Sequence, residues 1–334
     1  MAYSLKRLEK CNKMSEEFGY KEAARRMNIK TETLRRNVRA YKNKTIPKTP
    51  VQKNGADKMA ERIARRFSED ELKALLDDSQ RLTPKSRISK IDFSGEWVKL
   101  AVISDPHTGS QYSHDEDVYN AIEACNREGC EYFLCTGDVT EGMSGRDGHI
   151  SELRHIGYKA QRAAAVGLWK NAKSPIKMIS GNHDLWYASR GNTGAIIVED
   201  ICQILKTEHG INAEYLGEHE GRIVLNGAAL DMWHGLDGAA YALSYRIQKI
   251  IESLEESELP KAIFAGHDHK SIAIPDLRGI YSFGCGCLED QTPWMRQKKL
   301  RAFKGFWMIE LCIRDGNIIR VRPEWFKIPR RKNN

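Results

Sequence analysis

From about residue 96 onward, short apolar runs alternate with amphipathic stretches. The runs Val98–Ser104, Tyr132–Thr136, Ile176–Ser180, Ala228–Trp233 and Ala262–Ala265 have the length and the turn-bounded edges of buried strands. Two hairpins are predicted. Arg222–Leu225 and Ala228–Trp233 flank Asn226-Gly227, and Phe306–Ile313 and Ile318–Val321 flank a turn at Asp315-Gly316; such pairs supply the positive φ a tight hairpin needs. Strands, intervening helices (one over 150–171) and late hairpins predict an α/β sandwich, two sheets with helices outside. The N-terminal pattern is different. Residues 14–43 predict three short helices, with runs Lys21–Met27 and Thr31–Tyr41 around Asn28-Ile29-Lys30. Ala24, Asn28, Ile29, Leu34 and Val38 occupy the small, αL-tolerant and apolar slots of a helix-turn-helix, and Thr31 is read as the cap of the second helix. Thr45–Pro50 reads as a linker. Residues 55–79 read as a docking or self-associating helix: Ser68-Glu69-Asp70-Glu71 forms a capping box before Leu72, Leu75 and Leu76. That helix is a possible homodimer seam. Thr83–Lys90 reads as polar connection. The expected organisation is a helix-turn-helix-like module at 1–44, a linker and docking helix at 45–95, and the sandwich at 96–334.

Composition places the 334 residues in the soluble globular class: 41% are hydrophobic, 29% are charged and the mean hydropathy is −0.56. No apolar run is long enough for a membrane span, and Met1–Arg7 carries no apolar signal region. The eight cysteines form no CxxC pair and read as reduced thiols of a cytoplasmic protein. The net charge of +8 is unevenly spread. Residues 1–50 hold 14 Lys and Arg against 5 Glu and no Asp, which leaves the remaining chain at −1. A basic module on a nearly neutral body points to a dedicated anionic partner. Arg35, Arg36 and Arg39 on the second helix are the expected DNA contacts, reaching phosphates and base edges in a major groove.

Each of the five apolar runs ends where ligating side chains begin: Asp105-Pro106-His107, Gly137-Asp138-Val139-Thr140-Glu141, Gly181-Asn182-His183-Asp184, His234-Gly235 and Gly266-His267-Asp268-His269. Sites in α/β sheets gather at the carboxyl ends of strands, so these loops are expected to converge. Mixed imidazole and carboxylate donors suit Mn²⁺, Fe or Zn²⁺ better than Mg²⁺ or Ca²⁺. In the pairs Asp105/His107 and His267/His269, extended backbone would put both side chains on one side. Trp169, Trp186, Trp233, Trp294 and Trp307 are expected to pack in the core or against the sheets. Trp186-Tyr187, just after His183, also offers a stacking face. His149 and His155 read as structural. Arg146, Arg154 and Arg190 read as surface or ion-pair residues.

With all five blocks present in order over residues 98–290, the chain resembles the calcineurin-like metallophosphoesterases, whose blocks are DxH, GDxxx, GNHD or GNHE, an isolated His, and GHxH. The resemblance implies an α/β/β/α sandwich of two mixed sheets flanked by helices, and two divalent ions, Mn²⁺ first, with Fe or Zn²⁺ as alternatives. Such ions sit about 3.5–4 Å apart, clamp the attacking and leaving oxygens and acidify a bridging water. It also implies that Asp105, His107, Asp138 and His269 hold one ion and Asp138, Asn182, His234 and His267 the other, with Asp138 bridging. His183 would face the phosphate, with Glu141 as its acidic partner, and Asp184 and Asp268 would support loops. The second block lacks the arginine of the serine/threonine phosphatase sequence GDxVDRG. GNHD followed by GHDH looks closer to the phosphodiesterase and nuclease branches, including those of double-strand-break repair. The expected function is a DNA nuclease or DNA-end-processing phosphodiesterase. The alternatives are a small-nucleotide phosphoesterase with a regulatory N-terminal module and a non-catalytic DNA-binding regulator.

Overall fold

A computed structural model describes residues 5–45, 87–188, 195–236 and 242–330. The chain divides into two compact units, Met1–Asp78 and Ser79–Asn334. The predicted capping box at 68–71 and its leucines lie outside the described residues, as does Arg190.

In the first unit, helix α1 (Leu5–Arg26) breaks at Gly19, where φ is 70° and ψ 163°, and α2 (Thr31–Thr45) follows. Cys11, Ala23, Ala24, Leu34 and Val38 are buried between the helices, with Met14, Phe18, Met27 and Ile29 packed around them. The turn closes as the spacing predicts. Asn28 has φ 49°, and Ile29 N–H reaches the carbonyl of Ala24 at 3.0 Å, the long bond of a Schellman ending with Asn in the glycine place. Thr31 does not cap α2. The Lys30 carbonyl accepts the Leu34 N–H, so Thr31 is already the first helical residue. Arg35, Arg36 and Arg39 are exposed, and Arg35 lies over the Tyr20 ring.

The second unit is the expected sandwich of two six-stranded mixed sheets. Its strands are β1 (Ile88–Ile91), β2 (Trp97–Ile103), β3 (Tyr132–Cys135), β4 (Ile176–Ser180), β5 (Ala213–Glu218), β6 (Glu220–Leu225), β7 (Ala228–Trp233), β8 (Ala262–Ala265), β9 (Ser271–Leu277), β10 (Ile280–Cys285), β11 (Gly305–Arg314) and β12 (Asn317–Lys327). One sheet has the order β12-β11-β2-β3-β4-β5 and the other β1-β6-β7-β8-β10-β9. In the first, β2 to β5 run parallel while β11 is antiparallel to both β2 and β12. Parallel strands covered on both faces read as unbroken apolar runs, which is why β2, β3, β4 and β8 were legible. Both predicted hairpins form, β6/β7 and β11/β12, with positive φ at Asn226, Gly227, Asp315 and Gly316.

Helices α3 (Asp115–Arg127), α4 (Tyr158–Trp169) and α5 (Ile197–His209) accompany the first sheet. On α3, Val118, Ala121, Ile122 and Cys125 recur at helical spacing and are buried, while Asp115, Glu116 and Asp117 occupy the positive N-terminal turn. These helices pack on the sheet through Ile122, Phe133, Trp169, Ile176 and Ile201. Leu100, Leu134, Ile179, Leu230, Phe264 and Ile309 fill the space between the sheets, each such side chain contributing about 1.5–3 kcal/mol of burial. Helix α6 (Tyr245–Ser253) covers the outer face of the second sheet through Ile247 and Ile251.

Two stretches differ from the sequence reading. Residues 88–91, read as connection, form an edge strand parallel to β6; its pattern is weak because the inward positions are Ser89, which bonds Glu214, and a half-buried Ile91, while Ile88 is exposed. The predicted helix over 150–171 is a 3-10 turn, His149–Glu152, and then α4. Gly157, at φ 89°, separates them. Among the described residues no helix is long and apolar enough to cross a membrane.

Candidate metal centre

β2, β3 and β4 are neighbours in one sheet and β7 and β8 in the other. Their C-terminal loops bring all seven predicted ligands to one cleft, in two groups. Ligating atoms of Asp105, His107 and His269 lie within 4.8 Å of one another, as do those of Asp138, His234 and His267. Asp138 Oδ2 lies 3.6 Å from His107 Nε2 and 3.1 Å from His234 Nε2, so this carboxylate faces both groups. Asn182 Oδ1 stands 3.3 Å from His234 Nε2. Asp105, His107, Asp138, His234 and His269 are buried.

The backbone achieves this by another route than the one predicted. Asp105, His107, Asp138, His267 and His269 all have φ between 45° and 77°, in the left-handed region that non-glycine residues seldom adopt. The two x-spaced pairs therefore turn into the cleft through left-handed backbone, not along extended strand. Strain concentrated in this way belongs to sites that the surrounding scaffold over-determines. Close packing adds to it. A Cβ at Gly266 would stand 2.5 Å from Ser104 Oγ and 2.8 Å from Asp105 Oδ2, and one at Gly181 would overlap Asp138 Oδ1 and lie 2.6 Å from His234 Nε2.

The hydrogen bonds fix which nitrogen faces the cleft. His234 Nδ1 lies 2.7 Å from the Thr136 carbonyl, which can only accept, so Nδ1 carries the proton. Its Nε2 faces Asp138 Oδ2 and Asn182 Oδ1. Burial lowers the His234 pKa, but the Asp138 and Asp105 carboxylates outweigh it and raise it to about 9. Without a cation a proton therefore sits between Nε2 and Asp138, and a bound cation would take that proton's place. His107 repeats the pattern: Nδ1 is 2.8 Å from Glu141 Oε2, and Nε2 points at His269 Nε2, 3.1 Å away. Imidazoles oriented by a carboxylate or carbonyl behind them are the usual partners of a bound cation. Burial, reinforced by His234, pulls the His267 pKa down to about 3, which keeps it neutral as a ligand must be. Burial disfavours charge on Asp138, but the facing His234 and His183 hold its carboxyl well below the ordinary range. The donor set, its tautomers and its two groups fit a dinuclear divalent metal centre.

Glu141 has a wider role than the one predicted. Its carboxylate accepts from His107 and, at 2.9 Å through Oε1, from His149 Nε2. His183 Nδ1 lies 2.9 Å from the Glu141 backbone carbonyl and 3.5 Å from its carboxylate. His149, read as structural, is buried, takes the Ser144 N–H on Nδ1 and meets Trp186 edge to face. Trp186 lies against the His183 ring at 4.0 Å between centroids. Burial lowers the His183 pKa, but Asp138 and Glu141 outweigh it and raise it to about 10. No local pattern marks His149 for this position; it comes from the loop between β3 and α4. Asp184 supports loops as expected, accepting N–H groups from Val139, Thr140 and Gly181. Arg146 lines the cleft paired to Glu152.

Residues 98–271, just over half of the chain, match the family described as Calcineurin-like phosphoesterase. The chain belongs to that family. As a calcineurin-like phosphoesterase it is a metal-dependent phosphoester hydrolase. Among solved structures it is similar to an archaeal phosphodiesterase, at 14% identity and TM-score 0.41 over 69% of this chain and 100% of that one. It is also similar to Yfce, a phosphoesterase from E. coli, at 18% identity and TM-score 0.37 over 67% and 98%, and to TT1561 of Thermus thermophilus, at 9% identity and TM-score 0.38 over 70% and 99%. No curated protein matches it in sequence.

Proposed function

We propose that this phosphoesterase is a Mn²⁺-dependent DNA phosphodiesterase, a nuclease or DNA-end-processing enzyme, with Fe or Zn²⁺ as the alternative metals. One observation carries the reading: the phosphoester site shares its chain with a separate basic unit whose α2 exposes Arg35, Arg36 and Arg39. Tethering such a helix-turn-helix-like module to the site would raise the local concentration of phosphodiester there. The absence of the phosphatase arginine after Asp138, where Val139-Thr140-Glu141-Gly142 stand, supports a diester over a monoester. The eight buried free thiols support a cytoplasmic setting.

Asp105, His107, Asp138 and His269 would hold one cation and Asp138, Asn182, His234 and His267 the other, with Asp138 between. Bound there, the two cations would draw charge from the phosphoryl oxygens and acidify water. The chain's residues do the rest. Glu141 and Thr136 hold the imidazoles with Nε2 inward. His183, its Nδ1 committed to the Glu141 carbonyl and its ring set by Trp186, keeps Nε2 to donate to the phosphate or the leaving oxygen. The second reading, a small-nucleotide phosphodiesterase, is favoured by the net charge of −1 over residues 51–334. A comparison of Mn²⁺-dependent hydrolysis of single-stranded DNA, duplex DNA, a cyclic nucleotide and a phosphomonoester decides between them. The wild type and the variant R35E/R36E/R39E are both assayed. DNA cleavage weakened by the charge reversal is expected; cyclic-nucleotide hydrolysis with intact DNA rejects the reading.

A further inference from the structure

The cleft at the metal centre has a volume of about 570 Å³, and one wall is the segment Thr292–Leu300. Trp294, expected in the core, is instead 45% exposed there, unlike the buried Trp169 and Trp307. The short helix α7 (Pro293–Gln297) holds it in place. Thr292 Oγ1 caps the helix by accepting the Met295 N–H at 3.1 Å. At the other end Lys299 takes φ 58° and Leu300 N–H returns to the Met295 carbonyl at 2.8 Å, a Schellman closure without glycine. Met295, Leu300 and Ala302 pack on Cys287 beneath. Phe303 N–H bonds the carbonyl of His269, so the segment is tied directly to a predicted ligand. An indole presented on such a pinned turn loses little freedom when something stacks on it.

The charge of the segment is one-sided. Residues 291–303 contain Arg296, Lys298, Lys299 and Arg301 and no Asp or Glu, and all four basic side chains are exposed. The two preceding acids are engaged elsewhere: Glu289 accepts from Ser110 Oγ and Asp290 pairs with Lys304. Arg330 joins the same surface through Nη2, which donates to the Ala302 carbonyl at 2.5 Å. The nearly neutral body therefore carries a run of exposed cations on the same segment whose Thr292, Trp294, Met295 and Leu300 line the cleft. An exposed aromatic ring beside a row of cations is the combination that binds an unpaired strand: the ring accepts a base face, which pairing and stacking cover in a duplex, and the cations follow the phosphates.

We propose that Trp294 with Arg296, Lys298 and Lys299 forms a single-strand platform that feeds an unpaired DNA segment to the metal centre. The inference rests on the DNA reading above and narrows it to single-stranded or frayed ends. The test uses the full chain carrying R35E/R36E/R39E, which removes the module's contribution, and fluorescein-labelled dT12 and a 12-base-pair duplex as probes. Anisotropy in chelator gives Kd without turnover. Trp294→Ala is expected to weaken dT12 binding about tenfold, within the stacking range of one base, and to change duplex binding less than twofold; Trp294→Phe recovers most of the loss. R296E/K298E/K299E is expected to flatten the slope of log Kd against log salt by about 2, at roughly 0.7 per phosphate contact on a single strand. Unchanged dT12 affinity in both variants, or equal losses for duplex and dT12, overturns the platform, and DNA cleavage by the wild type then leaves the wider reading standing. A wild type that hydrolyses a cyclic nucleotide and no DNA removes the wider reading, and the platform with it.

Discussion

Glu141→Gln tests the hydrogen-bond logic of the centre with the smallest change available. Glu141 is 6% exposed, and its carboxylate faces two donors, His107 Nδ1 at 2.8 Å and His149 Nε2 at 2.9 Å. The second is fixed as a donor because His149 Nδ1 takes the Ser144 N–H. Glutamine keeps the shape but offers one accepting oxygen and one NH₂, so one contact becomes donor against donor. Losing a charge-assisted bond in a buried place costs about 1.5–3 kcal/mol. For a unit of this size, each kcal/mol corresponds to roughly 2–4 °C, so the melting temperature of the metal-free protein should fall by roughly 3–12 °C. If His107 is the contact that breaks, its Nε2 is no longer aimed into the cleft, and Mn²⁺ affinity should fall about 10–100-fold, the usual cost of removing a partner behind a ligand. Calorimetric titration of Mn²⁺ and thermal unfolding read the two effects separately, and Glu141→Asp, which keeps both acceptors, should lie between wild type and Glu141→Gln. A Glu141→Gln protein that binds two Mn²⁺ with wild-type affinity and melts with the wild type would refute the claim that this carboxylate sets the tautomer of His107.

Asp138→Asn removes a carboxylate that faces both groups and should abolish turnover and the occupancy of one metal, measured by elemental analysis of the loaded protein; retained activity would contradict the bridging position. His183→Asn should leave metal stoichiometry at two and lower kcat by about 10²–10⁴-fold, the range for a positioned acid or base; a loss of metal instead would make His183 a ligand. Gly181→Ala puts a methyl where Asp138 Oδ1 and His234 Nε2 stand, and overpacking of this kind costs about 1–3 kcal/mol. It should lower the melting temperature and the Mn²⁺ stoichiometry together, and an active, two-metal Gly181→Ala protein would show that the pocket can relax.

The strands and their terminal motifs were readable because buried parallel strands leave unbroken apolar runs and because the ligands follow them directly. The turn at Asn28 was readable too, since only a few residue types accept its φ. What stayed hidden depends on contacts distant in sequence. Ile88–Ile91 is a strand only because β6 supplies its partner, and Ser89-Lys90 gives no alternation to detect. The left-handed backbone at Asp105, His107, Asp138, His267 and His269 is imposed by two sheets meeting, against the preference of those residues. Trp294 looked like core because tryptophan usually is; its exposure follows from the cap at Thr292 and the turn at Lys299. His149 reaches Glu141 through a 3-10 turn where the pattern suggested a continuous helix.

The left-handed ligand loops have a consequence for what sequence change can do to this molecule. Each such residue stores about 1–3 kcal/mol, held down by the cores on either side. Glycine would release that tension, but it would also delete a buried side chain and its hydrogen bonds, as between His107 and Glu141 or between Asp138 and the His183 N–H, at a cost at least as large. The strained loops are therefore locked by the same side chains that shape the cleft, and easing the backbone means dismantling the centre.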